Sequence, residues 1–307
     1  MKKPTRFIFL VLPEVHLLDL AGPDQTLLEA IGYGANFEIL YCGTEVAPTT
    51  TAGLQLKQQQ HFSKVNVLRG DYVIIPGSNV SYLLSENFRK QESIFEWLRQ
   101  SYQAGANLMS ICAGSFVLAL AGILNGRQCT THFKRTAQLQ KMFPQLKVKE
   151  DVLFVEEERI FTSAGITAGI DLMLYVIEQL TDSYFAHQVA RELVMYIRRD
   201  GSSGQESVFL KFRNHIHSGV HQTQDYIIDH IHTKISLAQL AGIAHMSYRN
   251  YSRIFRKETG VTPLEYINLV RREKAEQLLL HPDRSRRQVA NMVGLESERQ
   301  LQRLLQK

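Results

Sequence analysis

Short runs of consecutive apolar residues constrain the fold of this chain more than any other feature. Phe7 to Leu12 (FIFLVL) and Tyr72 to Ile75 (YVII) each end in turn residues. Because such runs are apolar on both faces, they predict parallel strands covered by helices on each side. Helical patterns alternate with them at Pro23 to Ile31, Ile94 to Tyr102, Phe116 to Leu120 and Ile170 to Leu180. This order predicts an α/β domain over residues 1–200, built on a doubly wound, flavodoxin-like parallel sheet.

The net charge lies entirely at the carboxyl end of the chain. The 307 residues carry 35 Lys and Arg against 30 Asp and Glu, which gives +5. Residues 221–307 hold 14 of the basic and 9 of the acidic residues, so residues 1–220 are neutral, with 21 of each sign. A neutral body followed by a basic segment indicates a second domain with a polyanionic partner.

The composition excludes several classes of protein. With 44% hydrophobic and 21% charged residues the chain is neither disordered nor collagen-like. Its three scattered cysteines are too few for a disulfide framework and indicate a reducing compartment. The uncharged stretch Leu108 to Leu124 is interrupted by glycines, so it predicts a buried strand, turn and helix rather than a membrane span. We therefore expect a cytoplasmic protein that does not contact a membrane.

One turn within the predicted sheet carries a cysteine. In Leu108 to Phe116 (LMSICAGSF) a strand leads through a turn of small residues directly into a helix, which is the layout of a nucleophile elbow. Gly114 permits the tight turn, and the N-terminus of the helix would favour a thiolate at Cys112. A buried structural cysteine fits the same spacing equally well, since free cysteines pack readily into cores.

Four segments of the first 200 residues resemble the class I glutamine amidotransferase-like superfamily, in its branch with intracellular-protease-like proteins and isocyanide hydratases. They are VLPEVHLLDLAGP (11–23), DYVIIPGS (71–78), SICAGSFVLALAGILNGRQCTTHF (110–133) and FTSAGITAGIDL (161–172). The resemblance implies that Cys112 is the elbow cysteine, His132 its histidine neighbour and Asp19 the nearby acid. It also implies an anion-accepting pocket formed by the backbone amides of Gly77 and Ala113.

The residues around the elbow differ from those of the enzymes in this superfamily. Peptide-hydrolysing members carry His directly after the nucleophile, where this chain has Ala113. Isocyanide hydratases carry Thr there and Trp after the Thr-Thr-His segment, where this chain has Phe133. We therefore predict a ligand-binding pocket made of Asp19, Gly77, Cys112, Ala113 and His132, and no enzyme. Two alternatives remain: a cysteine-dependent hydrolase or hydratase of a small nitrogen compound, and a cysteine redox sensor.

A helix-turn-helix pattern begins after residue 223. Tyr226, Ile227, Ile231 and Ile235 predict an amphipathic helix, and Leu237 to Ala244 a short second one. Ser247 then caps a third helix, in which Tyr251, Ile254 and Phe255 face the core. Arg249, Ser252, Arg253 and Arg256 share its outer face at helical spacing. This third helix is the second helix of the helix-turn-helix motif, and arginines on its outer face are typical of a recognition helix.

The same pattern recurs near the end of the chain. A long helix from Pro263 to Leu280 leads to Arg287 to Leu305, which repeats a short helix, a turn at Gly294 and a helix starting near Ser297. Arg299, Gln300 and Arg303 lie on the outer face of that last helix. A lone run of charges is usually a solvated helix face, but duplication of the whole pattern favours DNA binding.

Residues 223–305 resemble the AraC/XylS-type transcription regulators, whose DNA-binding domain has two helix-turn-helix motifs bridged by one long helix. The matching segments are 240–255, 260–266, 272–279 and 289–303. The resemblance implies that DNA bases are contacted by Arg249, Ser252 and Arg253 of the first motif and by Arg299, Gln300 and Arg303 of the second. Arg pairs with guanine and Gln with adenine, so these residue types suit base reading. Lys257, Arg271 and Arg286 are predicted phosphate contacts.

Residues 201–222 are predicted to be a linker between domain 1–200 and domain 223–307. This segment contains Gly-Ser turns and three histidines, His215, His217 and His221. Histidines in a linker without a carboxylate or cysteine partner are usually solvated, so we predict neither a metal site nor a cofactor.

Together these patterns predict a sequence-specific DNA-binding transcription regulator controlled by a small-molecule effector. The effector would bind in the Cys112 pocket. Double-stranded DNA would bind the two helix-turn-helix motifs of each protomer in a homodimer.

Overall fold

In a computed structural model the chain divides into two compact units, Met1–Gln205 and Glu206–Lys307, called here the sheet unit and the helical unit. The structure describes residues 3–57, 60–195, 199–279 and 283–306, apart from the side chain of Leu210. The helical unit begins within the predicted linker, residues 201–222. The domain boundaries inferred from the sequence stay predictions.

The sheet unit is built on a seven-stranded sheet. Its strands, with those of a small second sheet, are β1 (Thr5–Val11), β2 (Phe37–Gly43), β3 (Gln60–His61), β4 (Tyr72–Ile75), β5 (Asn107–Ile111), β6 (Gln128–Cys129), β7 (Lys147–Val148), β8 (Phe154–Glu157) and β9 (Ile160–Ser163). The order in the large sheet is β3-β2-β1-β4-β5-β9-β8, and β6 pairs with β7. All pairs are parallel except β8 with β9. The predicted doubly wound, mostly parallel sheet is confirmed.

Helices cover the sheet, as continuous apolar strands require. They are α1 (Leu17–Gly32), α2 (Val80–Leu83), α3 (Glu86–Arg89), α4 (Glu92–Gln103), α5 (Gly114–Leu120), α6 (Thr136–Met142), α7 (Thr167–Leu180) and α8 (Ser183–Glu192). Phe7 to Val11 on β1 are all fully buried. The chain order reverses beside β1, whose neighbours are β2 on one side and β4 on the other. In such sheets the loops that follow the strands at this reversal form a ligand-binding crevice.

The start of the first helix differs from the prediction. The sequence pattern predicts a helix from Pro23, whereas α1 begins at Leu17 and contains Pro23 in its second turn. The prediction is wrong because proline, which suits the first turn of a helix, does not mark the start of this one. The extra turn matters, since it carries Asp19.

The helical unit contains α9 (Val208–Lys211), α10 (Ser218–Asp229), α11 (Leu237–Ile243), α12 (Tyr248–Thr259), α13 (Pro263–Leu279), α14 (Arg286–Met292) and α15 (Glu298–Leu305). The amphipathic helix predicted through Ile235 ends at Asp229 and begins earlier, at Ser218. Leu280, the predicted end of the long helix, lies outside the described residues.

Two apolar cores stabilise the helical unit, one for each helix-turn-helix motif. The first centres on the fully buried rings of Tyr251, Phe255 and Tyr266, with Phe255 and Tyr266 5.6 Å apart between ring centroids. The second packs Leu301 of α15 against Val289 and Ala290 of α14 and Ala275 of α13. The long helix α13 contributes to both cores and so joins the two motifs.

Within the described residues, no helix combines the length and the apolar character needed to cross a membrane.

Candidate ligand pocket and nucleic-acid interface

Cys112 lies in a strained turn between β5 and α5. Its φ of 53° is in the left-handed region, which residues other than glycine rarely adopt. The turn is tight because Gly114 packs directly on the backbone of β4, where an added Cβ would lie 3.1 Å from the carbonyl carbon of Ile75. The predicted strand, turn and helix are therefore present, with Cys112 at the sharp turn.

Hydrogen bonds with residues at the ends of β9 and β6 fix the backbone of Cys112. Its N–H donates to the carbonyl oxygen of Ser163 at 3.0 Å. Its carbonyl oxygen accepts from the hydroxyl of Thr131 at 2.8 Å. Residues that leave β5, β6 and β9 thus meet at one point, beside the reversal in strand order.

Asp19 lies in the first turn of α1 and is fully buried. Its Oδ1 accepts a hydrogen bond from the backbone N–H of Ile166 at 2.6 Å. Ile166 has a φ of 52°, which is strained for a β-branched residue. This strained peptide, just before α7, provides a backbone donor that helps to compensate the burial of the Asp19 carboxylate.

His16, Asp19 and Cys112 form a compact cluster. Each residue has one side-chain atom that could bind a metal, and these three atoms all lie within 4.8 Å of one another. His16 Nδ1 is 3.3 Å from Asp19 Oδ2. His16 is the outermost member, with 39% of its side chain exposed. His16 is not among the residues predicted from the sequence, although its spacing of three residues from Asp19 places both on one face of a helix start.

The other predicted pocket residues have different positions. An added Cβ on Gly77 would lie 3.0 Å from Cys112 Cβ and 3.1 Å from the amide nitrogen of Ala113, so Gly77 and Ala113 border the cluster. His132 does not belong to this cluster of described residues. Its Nδ1 accepts from the N–H of Lys134 at 3.3 Å, and its ring lies against Phe133.

Burial raises the pKa of the Cys112 thiol well above its ordinary range, and the neighbouring Asp19 carboxylate raises it further. The N–H of Ala113 and the charge of Arg135 act in the opposite direction but do not outweigh these effects. The N–H of Ala113 at the start of α5 therefore favours the thiolate, in the direction expected of a helix N-terminus, but burial and Asp19 outweigh it. Imidazole, carboxylate and thiolate are metal-ligating groups, so His16, Asp19 and Cys112 are placed where they could hold a metal ion.

The first helix-turn-helix motif separates a buried face from a charged one. Ser247 caps α12 by accepting from the N–H of Asn250, as predicted. Tyr251 and Phe255 are fully buried, whereas Arg249 and Arg253 are exposed. The predicted base-reading residues of this motif, including the half-buried Ser252, thus lie on or beside the outer face of α12.

The second motif repeats this arrangement. Ser297 caps α15, Leu301 is buried, and Arg299, Gln300 and Arg303 are exposed. The side-chain oxygen of Gln300 accepts from the N–H of Glu296 at 2.8 Å, so that oxygen helps to cap the helix. Gly294 lies in the turn with a φ of 72°, a conformation that suits glycine.

The predicted phosphate contacts divide into two groups. Lys257 and Arg286 are exposed on the helical unit. Arg271 is instead half-buried and donates from Nη2 to the carbonyl oxygen of Thr233 at 3.0 Å, and burial lowers its pKa. Its guanidinium also lies close to where a Cβ on Gly294 would be, at 2.9 Å. Arg271 therefore holds the loop after α10 and lies beside the Gly294 turn, and its role as a phosphate contact stays a prediction.

The three histidines of the predicted linker have structural contacts. The rings of His215 and His221 stack 4.3 Å apart, and His221 Nε2 is 2.7 Å from the carbonyl oxygen of His215. His217 caps α10 by accepting from the N–H of Val220. Among the described residues they do not form a metal-ligating group with Asp, Glu or Cys.

Comparison with known proteins matches the two units of the chain separately. Residues 5–179 match the model of the DJ-1/PfpI family, and residues 240–307 match a helix-turn-helix domain. The HTH-type transcriptional regulator CdhR of Pseudomonas aeruginosa is 33% identical over 205 residues, which cover 67% of this chain and 61% of that protein. The isonitrile hydratase of Pseudomonas putida is 32% identical over 187 residues, covering 60% of this chain and 76% of the enzyme.

A solved structure shows the same fold. The crystal structure of an AraC family transcriptional regulator from Pseudomonas putida superposes with a TM-score of 0.54 at 20% identity, covering 62% of this chain and all of that one. Both resemblances inferred from the sequence are confirmed. The family model matches more than half of the residues of this chain, which shows that the chain belongs to the DJ-1/PfpI family.

Proposed function

We propose that this chain is a sequence-specific DNA-binding transcription regulator whose sheet unit binds a small effector. The observation that carries the proposal is the duplicated separation of faces in the helical unit. In α12 and again in α15, arginines are exposed on one face while apolar side chains on the other are buried. The matched relatives named as transcriptional regulators support the same conclusion.

The exposed side chains are suited to reading base edges. An arginine makes two hydrogen bonds to guanine in the major groove, and a recognition helix presents such residues from its first turns. Arg253 is positioned for this because its Nη2 donates to Asn250 Oδ1 at 2.8 Å, which limits its conformations. Gln300 has one amide oxygen engaged in capping, so Arg299 and Arg303 are the better readers in the second motif.

A binding selection tests this proposal and identifies the operator sequence at the same time. Duplexes are enriched from a random library with the full chain, and affinity is then measured for an enriched and a random duplex. In Arg253→Ala we expect the ratio of the two affinities to fall by about tenfold, since one bidentate contact contributes about 1–3 kcal/mol of discrimination. Lys257→Ala is the matched control on the same helix and should weaken both duplexes alike. An unchanged ratio in Arg253→Ala would show that α12 does not read bases.

The sheet unit supports ligand sensing better than catalysis. The pocket holds a buried carboxylate, a half-exposed imidazole and a thiol whose pKa is raised by burial and by Asp19, and a raised pKa disfavours the thiolate that a nucleophile or a peroxide sensor needs. We further propose that the regulator acts as a homodimer in the cytoplasm, as the resemblance to AraC/XylS-type proteins implies.

The isonitrile hydratase relative makes one enzymatic alternative specific. The full chain can be incubated with a simple alkyl isonitrile and assayed for the N-alkyl formamide formed by addition of water. Because the thiol is held protonated, we expect no turnover above that of Cys112→Ser. Turnover that Cys112→Ser abolishes would establish a hydratase.

A further inference from the structure

The last residues of the sheet unit are hydrogen-bonded to the Cys112 turn through a single intermediate residue. We call residues 199–205 the connector. The side-chain amide of Gln205 donates to the carbonyl oxygen of Thr131 at 3.0 Å, and the hydroxyl of the same Thr131 donates to the carbonyl oxygen of Cys112 at 2.8 Å. The connector therefore contacts the residue that holds the strained turn.

A second route leads from Asp19 to the start of the connector. Ile166 donates to Asp19 and is followed directly by Thr167, the first residue of α7. Arg199 donates from Nη2 to the hydroxyl of Thr167 at 2.8 Å and to the buried Asp171 at 2.6 Å. Cys112 is thus linked to Gln205 at one end of the connector, and Asp19 is linked to Arg199 at the other.

The residues just after the connector are held by the helix that joins the two helix-turn-helix motifs. The Ser207 hydroxyl donates to Glu273 Oε1 at 2.8 Å, and the N–H of Val208 donates to Glu273 Oε2 at 2.6 Å. Glu273 lies on α13, which packs in both apolar cores of the helical unit. Only Glu206 separates Gln205 from Ser207 along the chain.

We propose that the connector transmits the state of the Cys112 pocket to the DNA-binding helices, with Gln205 and Arg199 as the coupling residues. This inference rests on the proposed function. A ligand that displaces the Cys112 turn changes the hydrogen bonds of Thr131, and one that displaces the Asp19 carboxylate changes those of Thr167. Either change alters the position of the connector and of Ser207 and Val208, which follow it. Neither coupling residue belongs to the pocket cluster or to a recognition helix.

The pocket and the connector have features of an element with two arrangements. Cys112 and Ile166 both have positive φ, so a change at the pocket can release backbone strain. At the other end, the side-chain oxygen of Gln205 is buried and accepts no hydrogen bond from the described residues. An unpaired buried acceptor favours any alternative arrangement that satisfies it. Coupling requires such a biased equilibrium, which both sites can shift.

Gly77→Ala perturbs the pocket directly, so the test needs no effector. The added Cβ would lie 3.0 Å from Cys112 Cβ and close to Asp19 Oδ2, so both side chains must move. Affinity of the full chain for an enriched duplex is measured in four proteins: unaltered, Gly77→Ala, Gln205→Ala, and the double variant. Asp19→Asn replaces Gly77→Ala if the latter does not fold. Gln145→Ala is the control, because the side chain of that exposed glutamine donates to the side chain of Asn125 and not to the pocket or the connector.

We expect Gly77→Ala to change the affinity for DNA by at least about fivefold, which is the lower end of ordinary allosteric coupling. In the Gln205→Ala background the change should shrink to less than about twofold, while Gln145→Ala leaves it intact. An equal change with and without Gln205, or no change on altering the pocket, overturns the coupling role. If the unaltered chain enriches no duplex, the proposed function itself fails.

Discussion

The two units of this chain hold their functional residues in opposite ways. In the helical unit the arginines predicted to read bases are exposed on α12 and α15, with buried rings or a buried leucine on the opposite face. In the sheet unit Asp19, Gly77, Cys112 and Ala113 are buried, and the pocket residues come from α1 and from the loops after three strands. The first design can be altered residue by residue on its surface, whereas the second depends on close packing around every member.

Removing a buried ring should have the largest effect on the helical unit. Phe255→Ala deletes a side chain that packs on Tyr251 and Tyr266, so we expect a loss of about 3–5 kcal/mol in the free energy of unfolding. Arg253→Ala, two residues away on the exposed face, should change it by less than about 0.5 kcal/mol. Chemical denaturation of both variants measures the difference. Similar losses in the two would contradict the separation of faces.

Adding a single methyl group to the sheet-unit pocket should have the next largest effect. Gly165 has a φ of 89°, and a Cβ there would lie 2.9 Å from Cys112 Sγ and 2.8 Å from its Cα. We expect Gly165→Ala to lower the free energy of unfolding by about 2–3 kcal/mol through overpacking and backbone strain. Gly32→Ala is the control, since nothing lies within 4 Å of its added Cβ. Denaturation curves that coincide would show that the pocket is not closely packed.

The reactivity of Cys112 tests the electrostatics of the pocket. Its raised pKa keeps the thiol protonated, so alkylation of the folded chain by iodoacetamide should rise about tenfold per pH unit from about 7 to about 9 without a plateau. Asp19→Asn removes the neighbouring negative charge, lowers the pKa and should speed the reaction at a pH of about 8 by about tenfold. Peptide mapping by mass spectrometry resolves Cys112 from the fully buried Cys42 and Cys129. A plateau near neutral pH would instead establish a thiolate.

A helix cap in the second motif should have the smallest effect. Ser285 and Gln288 form a capping box at the start of α14, which supports the second recognition helix. Ser285→Ala should cost about 1 kcal/mol of stability. Ser81→Ala, within a helix that Asn79 caps, is the control for loss of a hydroxyl group. A calorimetric scan that shows no shift for Ser285→Ala would indicate that this motif is not stabilised by its cap.

The helical unit could be predicted from sequence in more detail than the pocket. Local spacing decides which face of α12 carries Tyr251 and which carries Arg253, and a serine cap marks where the helix begins. The strands and the Cys112 turn were also predictable, because apolar runs and Gly114 are local signals. The partners of Cys112 were not, since sheet order brings together residues that are far apart in the chain. Thr131 and Gln205 carry no local signal for a shared site, and His16 has only its spacing of three residues from Asp19.

The boundaries that failed also depended on tertiary contacts. Pro23 lies inside α1 because packing on α7 favours a helix that continues across it. Asp19 therefore lies in the first turn of α1 rather than in a loop. As a basic residue Arg271 is expected at the surface, but Thr233 and the Gly294 turn lie beside its guanidinium. In both cases the surroundings, which spacing does not reveal, determine the role of the residue.

Hydroxyl-radical footprinting of the full chain on an enriched duplex shows whether the helical unit reads DNA with two recognition helices. We expect each protomer to protect two segments about one helical turn, roughly 10 base pairs, apart. Arg253→Ala should weaken protection of one segment and Arg303→Ala that of the other. A single protected segment, or two segments that both variants weaken equally, would contradict the account.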